Sequence, residues 1–159
     1  MRQGAGAGGR GQGAGGRRQE TGATLNYEEW VAQVPESIKR DSLWNFQVYP
    51  KALLLSDLVW EDTDRMMKDP RGRVIARQLI RSAGSICANI EEGHGRGFGK
   101  DNAYFQRVAL GSARESRGWY YRGRRFLTGE VCDHRIQLLD EIIAALVLSS
   151  GQQRQYRKR

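Results

Sequence analysis

Apolar residues recur at helical spacing along most of the chain, and no segment alternates apolar and polar positions as a half-buried strand does. The clearest stripe follows the dipeptide Asp69-Pro70, where successive apolar residues are separated by four, four, three and four positions. Its members are Ile75, Leu79, Ala83, Ile86 and Ile90. Because steps of three and four place side chains on one face of a helix, the pattern predicts an all-α protein.

The breaks between such stripes predict four long helices. They cover about residues 50–68, 71–93, 101–123 and 131–149. A glycine-rich run from Gly93 to Gly99 separates the second helix from the third. Four helices of about 20 residues joined by short loops are typical of an antiparallel up-down-up-down four-helix bundle.

The two ends of the chain differ in composition from this central region. Residues 1–22 contain nine glycines and almost no apolar side chains, so we expect a disordered Gly/Arg-rich tail. Residues 23–43 predict a short helical lead-in, interrupted at Pro35, that packs on the outside of the main body. We expect the bundle over residues 44–149 and a basic C-terminal tail over residues 150–159.

The first and fourth predicted helices carry more apolar surface than one buried stripe explains. Leu53 and Trp60 lie away from the main stripe of the first helix, and the run from Ile142 to Leu148 is apolar nearly all round. A helix that is apolar on several faces is buried on several faces. The sequence therefore predicts a subunit interface on these two helices, and the alternative is that residues 27–43 cover them.

The formal net charge of +8 is distributed unevenly along the chain. Residues 71–125 hold twelve basic and four acidic residues, whereas the flanking segments 23–70 and 126–150 are both net acidic. The second and third predicted helices are thus strongly basic even though the central part of the chain is nearly neutral as a whole. Such a concentration of positive charge indicates a polyanionic partner.

Basic residues on and between these two helices are the candidate contacts to that partner. Arg73, Arg77 and Arg81 recur at intervals of four, which places them on one ridge. The full set predicted to contact nucleic-acid phosphate is Arg73, Arg77, Arg81, Arg96, Lys100, Arg107, Arg114 and Arg117. A charged face is often only a solvated face, but solvated faces usually mix signs, and acidic residues are scarce here. We therefore expect salt-dependent binding of RNA or DNA with weak sequence preference. Tyr120 and Tyr121 are available either to stack on bases or, the favoured alternative, to pack in the core or an interface.

The sequence gives little support for a nucleotide-binding, metal-binding or catalytic site. The run from Gly93 to Gly99 matches neither the dinucleotide fingerprint nor the Walker pattern, and no strand precedes it. The segment Cys132-Asp133-His134 lacks the two-cluster spacing of a zinc site, and no catalytic set is apparent. We predict a protein without enzymatic activity, cofactor or metal. The longest apolar run has seven residues, too short to span a membrane, and without a signal peptide a cytoplasmic location is expected.

One stretch of the second predicted helix carries a family resemblance. The segment from Gln78 to Arg96 resembles the signature of the four helix bundle family that was named from open reading frames in intervening sequences of bacterial large-subunit ribosomal RNA. The matching residues are Ser85, Ile86, Ala88, Asn89, Ile90, Glu92, Gly93 and Arg96. Cys87 replaces the usual proline, and Glu91 replaces the usual alanine. A second region of the family, on the third helix, is matched at Ser112 and Glu115.

The resemblance implies an antiparallel four-helix bundle that assembles as a homopentamer. It also implies kinship with the accessory variability determinant of diversity-generating retroelements, a basic pentamer that binds a reverse transcriptase and nucleic acid. Asn89, Glu92, Ser112 and Glu115 are expected to form a buried polar network between the second and third helices. The leading hypothesis is a non-enzymatic, oligomeric, nucleic-acid-binding accessory protein, for which the resemblance alone suggests a reverse transcriptase as a partner. The alternative is a structural or adaptor oligomer that binds a protein partner.

Overall fold

The computed structural model describes residues 26–156, and this part of the chain is all-helical, without strands. The predicted disorder of residues 1–22 falls outside the described residues. Six helices are present in the described region, with a 3₁₀ turn at Ser42–Asn45 and another at Arg124–Phe126. The helices are α1 (Tyr27–Gln33), α2 (Glu36–Lys39), α3 (Val48–Met66), α4 (Pro70–Gly95), α5 (Lys100–Gly123) and α6 (Gly129–Gln155). None of the described helices is both long and apolar enough to cross a membrane.

The four long helices α3 to α6 occupy the four segments that the apolar periodicity predicts. Each contacts the next one along the chain, and α6 also contacts α3. The last helix is longer than predicted, because α6 continues to Gln155 instead of ending near residue 149. Ser150 is buried on α6, and the backbone N–H of Gly99 donates to Gln153 Oε1 at 2.9 Å. These contacts hold residues 150–155 in the helix, so this part of the predicted tail is helical.

Side-chain caps and glycines set the helix boundaries. Asp69 caps α4 by accepting from the backbone N–H of Arg71 at 2.8 Å, and Pro70 follows as the first helical residue. The connection from α4 to α5 contains two residues with positive φ, Gly97 at 82° and Gly99 at 103°. Because side chains disfavour this conformation, the glycine-rich run allows the reversal between these two helices.

The core lies between the four long helices. Each of them contributes apolar side chains that are almost completely buried, and burying one such side chain stabilises a fold by about 1.5–3 kcal/mol. The largest side chains that are less than 2% exposed are Tyr120, Leu55, Leu58, Met66, Leu79, Ile86, Ile90, Leu139, Ile142, Leu146, Val48 and Val59. Leu79, Ile86 and Ile90 belong to the apolar stripe that predicted α4.

The lead-in segment packs against α3. Trp30 is only 4% exposed, its ring stacks on Trp44 with centroids 6.2 Å apart, and its Nε1 donates to Asp57 Oδ2 at 2.6 Å. Leu53 lies with Trp30 beside a groove formed by α1, α2 and α3. The lead-in therefore covers Leu53, as expected if residues 27–43 and not a second subunit bury the surplus apolar surface. The lead-in does not cover Trp60, which remains 68% exposed.

Candidate nucleic-acid interface

One exposed line of α5 carries basic residues, tyrosines and glycines. Successive members are separated by alternating steps of four and three, which keeps them on one face of the helix. These residues, called here the α5 stripe, are Lys100, Tyr104, Arg107, Gly111, Arg114, Gly118 and Tyr121. Only Gly118 is partly buried, and the others are exposed. At 1.5 Å per residue the stripe is about 30 Å long, and none of its members is acidic.

Three of the eight candidate cations belong to this stripe. Lys100, Arg107 and Arg114 are exposed, and none of them forms an ion pair with another residue between positions 26 and 156. The acidic residues of α5 are Asp101 and Glu115. Since Glu115 pairs with Arg81, the positive charge of the stripe is little neutralised along its length.

The predicted ridge on α4 is present and adjoins the stripe. Arg73, Arg77 and Arg81 are all exposed. Arg81 Nη2 lies 2.5 Å from Glu115 Oε1, which joins the ridge to α5, and Arg73 Nε donates to the carbonyl of Met67 at 2.9 Å. Two of the three guanidinium groups therefore already have a partner within the fold.

The remaining two candidate cations, Arg96 and Arg117, form ion pairs with carboxylates. Arg96 Nη2 lies 2.5 Å from Glu92 Oε1, and its guanidinium lies 5.5 Å from the centre of the Phe105 ring. Arg117 pairs with Asp140 across α5 and α6. The structure thus gathers six of the eight predicted cations on the α4 ridge and the α5 stripe, and it places Arg96 and Arg117 in local ion pairs.

The predicted polar network between α4 and α5 is only partly formed. Ser85 Oγ and Ser112 Oγ lie 2.9 Å apart, and Asn89 Nδ2 donates to Ser85 Oγ at 3.1 Å. Glu92 lies outside this network, because its position on α4 is exposed and its carboxylate binds Arg96. Glu115 is only partly buried, and it accepts from Arg81 and from Trp119 Nε1.

A second polar contact between the same helices is more deeply buried. Ser116 Oγ donates to Ser82 Oγ at 2.8 Å, and both residues are at most 1% exposed. Sequence reasoning missed this pair. The signal was a series of serines on the two predicted helices at spacings that bring their hydroxyl groups to the α4–α5 contact.

A groove at one end of the α5 stripe adds a cation that the sequence did not indicate. It is an open groove of about 730 Å³ between α5 and the last turn of α6. Its lining residues are Lys100, Ala103, Tyr104, Arg107, Val108 and Arg154. The sequence predicts Arg154 in the C-terminal tail, because its apolar periodicity predicts that the last helix ends near residue 149. We refer to this site as the α5/α6 groove.

Two contacts hold the last turn of α6 beside the start of α5. One is the hydrogen bond between the Gly99 N–H and the Gln153 side chain. The other joins the rings of Phe98 and Tyr156, whose centroids lie 5.3 Å apart. Arg154 is therefore anchored on both sides along the chain, and its position beside Lys100 is a property of the fold.

The tyrosines near the end of α5 have different environments. Tyr120 is completely buried, and its hydroxyl donates to Asp62 Oδ2 at 2.8 Å, so it packs in the core as the favoured alternative expected. Tyr121 is 58% exposed, but the guanidinium of Arg124 lies over its ring at 4.2 Å. The stripe tyrosine at the other end, Tyr104, is 63% exposed, and its ring meets Phe105 edge to face.

Both histidines contact a neighbouring side chain, and both cysteines are buried. His94 Nε2 lies 2.9 Å from Ser42 Oγ, and His134 Nδ1 lies 2.8 Å from Arg135 Nη1. Burial raises the pKa of the Cys87 thiol to about 12, which keeps it protonated at neutral pH. Among the described residues, no three His, Cys, Asp or Glu side chains are grouped so that they could hold a metal ion.

The long helices and the basic surface on α4 and α5 define an all-helical protein whose candidate site is an exposed, positively charged face. The model of a family described as 23S rRNA-intervening sequence protein matches residues 44–147. The chain belongs to this family, which confirms the resemblance seen in the second and third predicted helices.

The comparison with solved structures supports the fold. A Bacteroides thetaiotaomicron protein of unknown function from the S23 ribosomal protein family is 24% identical, with a TM-score of 0.59. The match covers 64% of this chain and 95% of that chain. A search of curated proteins finds no significant match.

Proposed function

We propose that this chain is a non-enzymatic nucleic-acid-binding protein whose four long helices form an antiparallel bundle. The α5 stripe and the α4 ridge contact phosphates. The observation that carries this proposal is the stripe itself, in which three exposed cations and the exposed ring of Tyr104 follow one line of α5 with no acidic member. Cations interleaved with aromatic residues suit a ligand that has both phosphates and bases.

The distribution of charge supports a dedicated surface. Nine of the twelve basic residues between positions 71 and 125 lie on α4 and α5, which are in contact with each other, and Arg96, Arg124 and Arg125 lie directly after the ends of these helices. Several acidic residues elsewhere are used within the fold, such as Asp62 with Arg135 and Glu141 with Lys51. Uncompensated charge therefore remains on the α4/α5 face. Crowding like charges on one face costs stability, and a polyanion would relieve that cost.

We further propose that the protein is an oligomer, with a pentamer as the expected state. Trp60 on α3 is 68% exposed, and Val147 and Leu148 on α6 are 49% and 65% exposed. These residues lie on the two helices for which the sequence predicted an interface. Multi-angle light scattering coupled to gel filtration tests this point, and a monomeric mass across the accessible concentration range would contradict it.

Binding is tested by fluorescence anisotropy with labelled RNA and labelled duplex DNA across a salt titration. The double variant R107E/R114E reverses two stripe charges and is expected to reduce affinity at least tenfold. Its matched control, R40E/R65E, changes the net charge equally at exposed positions outside α4 and α5. It should leave affinity within about twofold once the general effect of net charge is screened by salt.

Two results would contradict the proposal. One is an absence of binding to either nucleic acid at about 50 mM salt, where phosphate contacts are strong. That result would favour the alternative of an adaptor oligomer with a protein partner. The other is loss of all binding on removal of residues 1–22, which would place the site on that segment. A reverse-transcriptase partner and a cytoplasmic location remain predictions.

A further inference from the structure

We infer that the α5/α6 groove holds one unpaired nucleotide, with its base stacked on Tyr104 and its phosphates bound by Lys100, Arg107 and Arg154, so that the protein prefers single-stranded to double-stranded nucleic acid. This inference rests on the proposed function and names the form of nucleic acid that the surface selects. It concerns one end of the α5 stripe, where the surface changes from a convex helix face to a groove.

Positive charge lines the groove from two helices. Lys100 and Arg107 project from α5, and Arg154 comes from the last turn of α6. A strand of nucleic acid that enters between them would have phosphates within reach of both walls. Elsewhere along the stripe, the cations of a second helix belong to the α4 ridge, where Arg73 and Arg81 already have partners within the fold. The groove is therefore the position at which the backbone of a bound strand would be held most firmly.

The groove also has an apolar surface suited to a base. Tyr104 is 63% exposed and Val108 is 36% exposed, and both line the groove together with Ala103. An exposed aromatic ring with cations on either side is the arrangement with which single-strand-binding surfaces accept bases irrespective of sequence. The groove is open to solvent on one side, and its volume of about 730 Å³ lies within the range of about 300–1,000 Å³ that is usual for small-molecule sites.

Stacking on Tyr104 requires a base whose flat face is free. In a duplex, each internal base is covered by its neighbours, so a rigid double helix would bring phosphates to the stripe but no free base face to the groove. In a single strand, one base can leave the stack at small cost. The groove thus adds affinity for a single strand that a duplex does not gain.

Tyr121 provides a comparison within the same stripe. It is exposed to a similar degree, 58%, but its ring is already covered by the guanidinium of Arg124 at 4.2 Å. It also lies outside the groove. Tyr104 and Tyr121 are therefore two tyrosines on one helix face, of which only the first is placed to receive a base between cations from two helices.

The experiment measures the affinity of the full chain for three labelled probes of equal length. These are a single-stranded RNA of mixed sequence, the same RNA annealed to its complement, and a single strand with abasic sugars in place of nucleotides. The variants are Y104A, Y104F and the matched control Y121A. We expect Y104A to weaken binding of the single-stranded RNA about tenfold, a loss that corresponds to one stacked base.

The other combinations of variant and probe test whether Tyr104 acts by stacking on a base. Y104F should retain wild-type affinity, because a phenyl ring stacks as a phenol does, and Y121A should remain within about twofold. Y104A should bind the duplex and the abasic strand as the wild type does, since neither presents a free base to the groove. Equal loss for all three probes would instead show a phosphate contact or a general effect on the fold, and would overturn the stacking role.

The two proposals fail in different ways. If no probe binds at low salt, the proposed function itself is wrong. If all probes bind but the wild type binds the duplex as tightly as the single strand, or Y104A binds the single strand as tightly as the wild type, the inference about the groove is wrong and the proposed function stands. An acidic protein partner in the groove would give no preference among the three probes.

Discussion

Asp62 and Arg135 form a buried ion pair that connects α3 to α6. Arg135 Nε donates to Asp62 Oδ2 at 2.8 Å, and Arg135 Nη2 donates to Asp62 Oδ1 at 3.1 Å. The two residues are 8% and 4% exposed, and the hydroxyl of Tyr120 on α5 donates to the same carboxylate at 2.8 Å. One carboxylate thus connects three of the four long helices.

Removing one partner of this pair should destabilise the protein strongly. In D62A the guanidinium of Arg135 stays buried without its counter-ion, and we expect the free energy of unfolding to fall by about 3–5 kcal/mol. The double variant D62L/R135M removes both charges and should lose less stability than D62A. Urea unfolding followed by far-UV circular dichroism at one fixed protein concentration measures both. A double variant less stable than D62A would mean that packing around the pair, not the isolated charge, dominates.

Asp69 should make the stability of the protein sensitive to acid. The side chain and backbone N–H of Arg71 donate to its carboxylate and lower its pKa to about 2, from 3.8 in the absence of such contacts. Because the folded state binds the proton more weakly than the unfolded state, this contribution is complete above about pH 4 and is lost as the pH falls towards 2. In D69N the amide oxygen can still cap α4 but does not titrate. The stability advantage of the wild type over D69N should therefore shrink over this range, and a constant difference would contradict the assignment.

His134 should contribute a second pH dependence, in a higher range. Burial and the neighbouring Arg135 lower its pKa from 6.5, so the folded protein favours the neutral imidazole. The unfolded chain takes up the proton first as the pH falls, so stability is complete above about pH 6.5 and decreases below it. In H134Q this dependence should disappear. Unfolding measured between about pH 5 and pH 8 tests the prediction, which fails if the wild type gains stability relative to H134Q on acidification.

The sequence predicted the helices well because their stripes are long and regular. The series from Ile75 to Ile90 fixes the buried face of α4, and every member except Ile75 is fully buried. Helix ends were harder to predict, because they depend on contacts between distant segments. The hydrogen bond from Gly99 to Gln153 extends α6 beyond residue 149, and nothing near Gln153 in the sequence signals it.

The candidate site could be predicted only in part for the same reason. Spacing alone placed Arg73, Arg77 and Arg81 on one ridge of α4, and the structure contains that ridge. Spacing could not show that Arg117 would meet Asp140 on α6, because that ion pair depends on how two helices pack. The alternating three and four steps from Lys100 to Tyr121 were present in the sequence. Neither apolar periodicity nor a single interval between arginines reveals these steps, because the series combines lysine, tyrosine, arginine and glycine.

Replacing either of two glycines of α4, Gly72 or Gly84, with alanine should change the stability of the protein in opposite directions. A Cβ on Gly72 would lie 2.2 Å from the backbone oxygen of Met66, whereas a Cβ on Gly84 would have nothing within 4 Å. The backbone at Met66 cannot yield as a side chain can, so G72A should be destabilised well beyond any gain in helix propensity. G84A should be stabilised by up to about 1 kcal/mol, because alanine favours a helix interior over glycine by that amount. Thermal unfolding of both variants checks the contrast, and a G72A protein as stable as the wild type would contradict it.

The cations of α5 should contribute unequally to the salt dependence of single-strand binding. A cation without an ion-pair partner in the fold should contribute more than one that is paired with a carboxylate. Arg107 lines the α5/α6 groove, whereas Arg117 is held by Asp140. The slope of log affinity against log salt reports the number of phosphates contacted, at about 0.7 for each contact on a single strand. R107A should therefore reduce the magnitude of the slope by about 0.7, whereas R117A should leave it unchanged. Because both substitutions remove one positive charge, they control for each other, and equal slopes for the two variants would show that net charge, not position on the stripe, governs binding.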